Sequence, residues 1–234
     1  MTHPKLVAVG AAQRNLLGML CLTLSACGGA TSAARAPIGV MGSAAAISRA
    51  RADSVRYPYT RADIDFMSGM ISHHAQAIVM GRWGPSHGAS PALIRLTERI
   101  INAQTDEIGL MGRWLSDRNQ PVPEANPAGM KMQMGGMEHM MLMPGMLTDA
   151  QMQELDAARG EAFDATFLKY MIQHHRGAVA MVNELFSHRG AGQDESVFKF
   201  ANDVEVDQST EINRMIQMML ELGVMPPPPA SSTH

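Results

Sequence analysis

The 234-residue sequence is short of cysteine, of aromatic rings and of charge of one sign. Cysteine occurs twice, as Cys21 and Cys27, which leaves no framework of paired cysteines for the body of the chain. Aromatic residues make up 5% of the chain, too few to fill a core by themselves. A net charge of −3 and a pI near 6.3, with no basic cluster, exclude the electrostatic footprint of a nucleic-acid partner. No segment alternates apolar and polar residues as a strand does. A His-Glu-x-x-His zinc element and a phosphate-binding glycine loop are also missing. With 46% hydrophobic and 18% charged residues, the chain is nonetheless neither disordered nor fibrous. What it has in abundance is methionine, 22 residues against 6 phenylalanines, 3 tyrosines and 2 tryptophans. Methionine is both an adaptable core filler and a soft thioether ligand, so the excess points to packing and to metal at once.

The amino terminus reads as an address. Lys5 and Arg14 precede the apolar run Leu16 to Leu24, which has the length of a secretory h-region and is too short to span a bilayer. It ends in Leu24-Ser25-Ala26-Cys27, a pattern that resembles the lipobox of bacterial lipoproteins. Residues 1–26 are therefore expected to be a lipoprotein signal peptide, with Cys27 lipidated and membrane-anchored as the first mature residue. Cleavage there removes Cys21 and two of the 19 basic residues, leaving 17 against 22 acidic ones and no free thiol. Residues 27–58, rich in Gly, Ala and Ser, are expected to form a flexible tether with at most a helical turn near Ala44 to Ala52. Residues 225–234 form a Pro-rich tail.

Four helices are predicted between tether and tail. Thr60 and Asp63 open the first, which runs to about Arg82 before Gly84-Pro85. Ser90-Pro91 opens the second, to about Arg118. Thr148 and Gln151 open a third that reaches His188, bent at Gly160, and Asp194 caps a fourth ending near Leu222. An internal repeat orders them. Asp63-x-x-Phe66-x-x-x-Met70-Ile71-x-His73-His74-x-x-Ala77-x-x-Met80 recurs as Asp164-x-x-Phe167-x-x-x-Met171-Ile172-x-His174-His175-x-x-Ala178-x-x-Met181. On the following helices Gln104-x-x-Glu107-Ile108-x-x-Met111 recurs as Gln208-x-x-Glu211-Ile212-x-x-Met215. The chain is thus a duplicated helical hairpin, and two such hairpins packed together make an all-α four-helix bundle over residues 59–224.

Helical spacing places Phe66, Met70, His73, Ala77 and Met80 on one stripe, and Phe167, Met171, His174, Ala178 and Met181 on another. Such stripes are the seams a bundle buries, so His73 and His174 point to the core. His74 and His175 lie about a hundred degrees further round, where they flank the same site or face a neighbouring helix. Glu107 and Glu211 can bring a carboxylate toward the histidines from the second helix of each hairpin. Two histidines within helical reach of a methionine, beside an acid, favour metal binding over simple packing, whereas Met80 and Met181 read first as packing.

Between the hairpins, residues 130–146 hold Met130, Met132, Met134, Met137, His139, Met140, Met141, Met143 and Met146 among glycines and a proline. Exposed thioethers gain nothing from water and oxidise readily. The segment is expected to be a flexible loop that captures soft metal, in preference to a hydrophobic lid over one end of the bundle. Thioethers suit Cu(I) and bind it without releasing protons. Imidazole coordination, by contrast, is expected to weaken as pH falls through about 6.5.

The repeated Met-Ile-x-His-His-x-x-Ala element, Met143-Pro144-Gly145-Met146, and the lead-in Phe163-Asp164-x-x-Phe167-Leu168 resemble the domain of unknown function 305 family, with its CopM-like copper-binding proteins. The resemblance spans about Tyr59 to Val224. It implies a ferritin-like four-helix bundle in the bacterial cell envelope, and it maps family ligand positions onto Met70, His73, His74, Met80, Met171, His174, His175 and Met181. Met67 is replaced by Leu168 in the second half, so the halves need not bind metal equally. The leading expectation is a lipid-anchored envelope protein, facing the periplasm or exterior, that binds copper or silver through Met and His and needs no catalysis. Its partners would be the soft metal ion, the membrane through Cys27, and an envelope copper-handling protein. A ferritin-like dinuclear-metal oxidase and a metal-free methionine-rich interaction module are the alternatives.

Overall fold

A computed structural model describes residues 43–56 and 58–228. The expected signal peptide, Cys27 and residues 229–234 lie outside the described residues. The elements in chain order are α1 (Ser43–Arg56), α2 (Arg61–Arg82), α3 (Pro91–Asp117), β1 (Met130–Met134), β2 (Met137–Met141), α4 (Asp149–Ala157), α5 (Gly160–Ser187) and α6 (Glu195–Glu221). The predominantly helical bundle expected from the repeat is present, with α2·α3 and α5·α6 as its hairpins and α2·α5 as the seam between them. Among the described residues no helix is long and apolar enough to cross a membrane.

The helix starts follow from local chemistry. The Thr60 hydroxyl accepts from the Asp63 amide at 3.3 Å while the Asp63 carboxylate accepts from the Thr60 amide at 2.6 Å, a reciprocal capping box. Thr148 and Gln151 repeat it on α4, Ser90 caps α3, and Asp194 accepts from two amides at the start of α6. Asp194 also takes the buried Trp114 indole N–H at 3.0 Å and the Arg118 guanidinium at 2.6 Å, tying the end of α3 to the start of α6.

Three features depart from the sequence reading. The helix expected from Thr148 to His188 is broken, because Ala158 and Arg159 are extended and Gly160 takes a φ of +58°. The Gly160 amide donates to the His87 carbonyl at 2.8 Å, and His87 Nε2 bonds Asp156, so the α2–α3 turn holds the break. The methionine segment is not wholly loop, since β1 and β2 pair antiparallel around Gly135-Gly136, whose φ values of +61° and +82° suit a tight hairpin turn. The expectation that no segment alternates as a strand does fails here, because Met130-Lys131-Met132-Gln133-Met134 alternates ahead of a Gly-Gly turn, a hairpin signal masked by reading its methionines as metal donors. Residues 43–56 form a full helix against α3, longer than the turn expected within the tether, with Ala50 buried.

The core has two apolar clusters. One gathers Phe66, Met67 and Met70 from α2 with Ala178, Met181, Val182 and Leu185 from α5. The other gathers Ala77 and Met80 from α2 with Phe163, Phe167, Leu168, Met171 and Ile172 from α5. Residues before His73 thus meet residues after His174 and the reverse, so α2 and α5 run in opposite directions and cross at their histidines. The repeated aspartates stitch the hairpins together. Asp63 accepts from the Gly192 amide at 2.7 Å in the α5–α6 loop, and Asp164 accepts from the Ser90 amide at 3.1 Å in the α2–α3 loop.

Candidate metal centre

At the crossing of α2 and α5 the four histidines form a polar layer between the two apolar clusters. His73, His74, His174 and His175 have no exposed surface. The rings of His73 and His174 lie 3.8 Å apart between centroids, and each is about 6 Å from its own chain neighbour, 6.2 Å to His74 and 6.3 Å to His175.

The second histidine of each pair faces the second helix of its own hairpin. His74 Nε2 lies 2.8 Å from Glu107 Oε2, and His175 Nε2 lies 2.6 Å from Glu211 Oε2. A carboxylate only accepts, so Nε2 of each ring carries a proton, and in the neutral ring the lone pair is on Nδ1. His73 Nε2 likewise donates to the Pro144 carbonyl at 3.1 Å. Nδ1 of His73, His74 and His175, and both ring nitrogens of His174, are buried without a partner. Unmet buried polar atoms cost roughly 1–3 kcal/mol each, so this concentration of them is a feature that asks for a ligand.

Burial, followed by the neighbouring imidazoles, holds His73 and His174 well below the ordinary histidine value of 6.5. These two rings therefore stay neutral in mild acid. The weakening expected near 6.5 is displaced downward for them, because desolvation penalises the imidazolium.

Thioethers border the layer on both sides. Met67, Met70, Met111 and Met181 belong to one cluster, and Met80, Met171, Met215 and Met219 to the other. Met143 reaches the first cluster through a gap at Gly69, where an added Cβ would stand 2.8 Å from Met143 Sδ and 3.4 Å from Met181 Cε. Met143, Pro144 and Met181 line a cavity of about 230 Å³ whose wall includes Asp65, Glu184 and His188. Between α3 and α6, a cavity of about 300 Å³ is lined by Gln104, Glu107, Asp207, Gln208 and Glu211. Asp207 is raised above the usual carboxylate value, by burial first and then by Glu107, Asp203 and Glu211. Buried Gln104 and Gln208 leave Oε1 unpartnered.

The structure brings the four histidines together, and Met67, Met70, Met80, Met171 and Met181 lie buried in the apolar clusters on either side of them. It does not bring in the hairpin donors, for Met137, His139 and Met140 are exposed and Met134 stands at the register position opposite Met137. Among the described residues no three His, Cys, Asp or Glu side chains are grouped to hold a metal ion by themselves.

Sequence reasoning missed two positioning groups. Gln76, buried two residues after His74, accepts from the Leu147 amide at 2.6 Å and donates to the carbonyls of Leu147 and Pro127, both at 3.0 Å, clamping both ends of the inserted segment. Gly177 lets the Pro144-Gly145 turn lie on α5, since a Cβ there would stand 2.0 Å from Pro144 O. A polar residue on a seam and a glycine inside a helix were the available signals.

Comparison with known proteins agrees with this geometry. A DUF305 protein of Streptomyces coelicolor superimposes with a TM-score of 0.60 at 28% identity, over 71% of this chain and 97% of that one. A fragment from Deinococcus radiodurans gives 0.56 at 26% identity, over 71% and 98%. CopM in its Cu(I)-bound form gives 0.51 at 27% identity, over 68% and 96%, and it is also known in Cu(II)-bound, silver-bound and apo forms. A curated relative, protein L153 of Acanthamoeba polyphaga mimivirus, is 36% identical over 56 residues, so the match spans 24% of this chain and 37% of that protein. The family profile described as domain of unknown function (DUF305) matches residues 63–219. With the repeat, the histidine layer and the bundle on the same residues, the chain belongs to the DUF305 family.

Proposed function

We propose that the protein binds copper, as Cu(I) and Cu(II), and silver, through histidine and methionine, and that it sequesters the ion, confers tolerance to it or passes it on. The observation that carries the proposal is the layer of buried imidazoles with unpartnered Nδ1 atoms between two methionine-bearing clusters. Imidazole and thioether together are the donor set of a soft or borderline ion, whereas hard cations take oxygen. Glu107 and Glu211 fix the tautomers of His74 and His175, as carboxylates do behind metal-ligating histidines. Because among the described residues no three His, Cys, Asp or Glu side chains are placed to hold an ion by themselves, a site in this layer draws on Met70, Met171 or another flanking thioether beside His73, His74, His174 and His175. The copper- and silver-bound forms of CopM support the reading. The Leu24 to Cys27 pattern supports a lipid anchor at Cys27, and the Streptomyces relative, named as secreted, supports a location outside the cytoplasm.

The direct test is electron paramagnetic resonance of the chain loaded with Cu(II). Nitrogen hyperfine structure from imidazole is expected. A spectrum of aqueous or oxygen-only copper would overturn the proposal.

A further inference from the structure

In the β1–β2 hairpin the pairing is Met130 with Met141, Lys131 with Met140, Met132 with His139, Gln133 with Glu138 and Met134 with Met137. Directly opposed residues of an antiparallel pair share a face, and faces alternate along each strand. Met130, Met132, Met137, His139 and Met141 therefore stand on one side of the ribbon, and Lys131, Glu138 and Met140 on the other. The ion pair of Lys131 Nζ with Glu138 Oε1 at 3.4 Å confirms the second face, because those residues are diagonal neighbours there. The donor face carries no charged side chain.

That face is also set against a space. Met130 and Met132, both less exposed than Lys131 between them, line a cavity of about 530 Å³ with Ile64, Asp65, Ser68 and Glu124, and Arg61 and Lys131 stand at the same cavity, while Met137, His139 and Met141 of that face are exposed outside it. The hairpin is anchored at both ends: Gln76 holds Pro127 and Leu147, and Gly129, with φ +122°, lets the Met141 carbonyl approach where a Cβ would stand 2.6 Å away. A tethered ribbon with every thioether but that of Met140 on one side differs from a pool of methionines on a free loop.

We infer that this face is a soft-metal site separate from the histidine layer, taking Cu(I) or Ag(I) through the cross-strand pair Met132 and His139 with Met130, Met137 or Met141 completing the donor set. Opposed side chains start about 4.5–5.5 Å apart at Cβ, which lets a thioether and an imidazole converge on one ion without bending the strands. Met140 shares the segment and the chemistry but lies on the opposite face and takes no part. The inference rests on the soft-metal reading above and names a second location for it.

Silver ion is the probe, added as silver nitrate in chloride-free buffer to the full chain with 13C-labelled methionine methyls. Shifts of the Met130, Met132, Met137 and Met141 methyls at about one equivalent per hairpin are expected, with Met140 unmoved. Met132→Leu should remove that equivalent, or weaken it at least tenfold, whereas Met140→Leu should bind as wild type does. Equal losses in the two variants would overturn the site in favour of an unsorted donor pool. Unchanged hairpin methyls beside shifted Met70 or Met171 would overturn it while leaving the bundle reading intact, and no silver uptake anywhere would overturn both.

Discussion

The two hairpins carry the same motif in different surroundings. His74 with Glu107 and His175 with Glu211 are near copies, with Nε2 engaged and Nδ1 unpartnered in both. His73 and His174 are not copies, since His73 donates to Pro144 and His174 bonds nothing through either ring nitrogen. The cause lies in three pairs of repeat-equivalent residues. Where α2 has Gly69, Gln76 and Met67, α5 has Tyr170, Gly177 and Leu168. Gly69 admits Met143, Gln76 clamps the insertion, and Gly177 gives its Pro144-Gly145 turn a bed on α5. Duplication supplied a symmetric set of rings, and the insertion made one ring different by lending it a carbonyl.

Several substitutions would break or sharpen that contrast. Gly177→Ala should have the largest effect, because its Cβ meets backbone that cannot move aside. Displacing the turn should cost about 3 kcal/mol of stability, read from urea unfolding, and free His73 Nε2 in nitrogen NMR. A loss under about 0.5 kcal/mol would show that the turn is not seated there.

Acid comes next. With folded-state values below 6.5, neutral His73 and His174 refuse protons that the unfolded chain accepts, so metal-free stability is full above about 6.5 and falls as pH drops below it. The slope approaches about 1.4 kcal/mol per pH unit for each ring. The charged or titratable groups around them are His74 and His175, with Glu107 and Glu211 behind. His73→Phe/His174→Phe should flatten this part of the unfolding midpoint between pH 6.5 and 5.5, and an unchanged slope would remove these rings from the acid response.

Replacing the carboxylates tests the symmetric half of the contrast. Glu107→Ala and Glu211→Ala should each weaken copper binding by about 10–100-fold, whereas the Gln variants, which keep an acceptor for Nε2–H, should lose less. Unequal losses between the two Ala variants in competition titration would show that the halves bind differently. Met67→Leu, which copies Leu168 into the first half, should be the mildest change, under about 1.5 kcal/mol in unfolding free energy. A copper stoichiometry lowered by this variant alone would make Met67 a ligand.

The bundle and its histidine layer were legible in the sequence because the repeat, the capping residues and the 3.6-residue seam agree. The stripe of Phe66, Met70, His73, Ala77 and Met80 already pointed inward, and the Gln-x-x-Glu element already placed an acid near the histidine pair. The break before α5 was not legible, because it depends on the His87 carbonyl arriving from another turn. Nor was the seating of the insertion, which rests on Gln76 and on backbone contact at Gly177, neither visible as periodicity. The β hairpin was hidden for a different reason. Its Met130, Met132, Met140 and Met141 look alike in sequence, and only register assigns them to faces.

Copper stoichiometry of His73→Phe/His174→Phe beside wild type tests the central claim most directly, by equilibrium dialysis against Cu(II) at neutral pH with helicity checked by circular dichroism. A folded variant that loses the wild type's tightly held copper is the expected result. A folded variant that retains all of it would contradict the account.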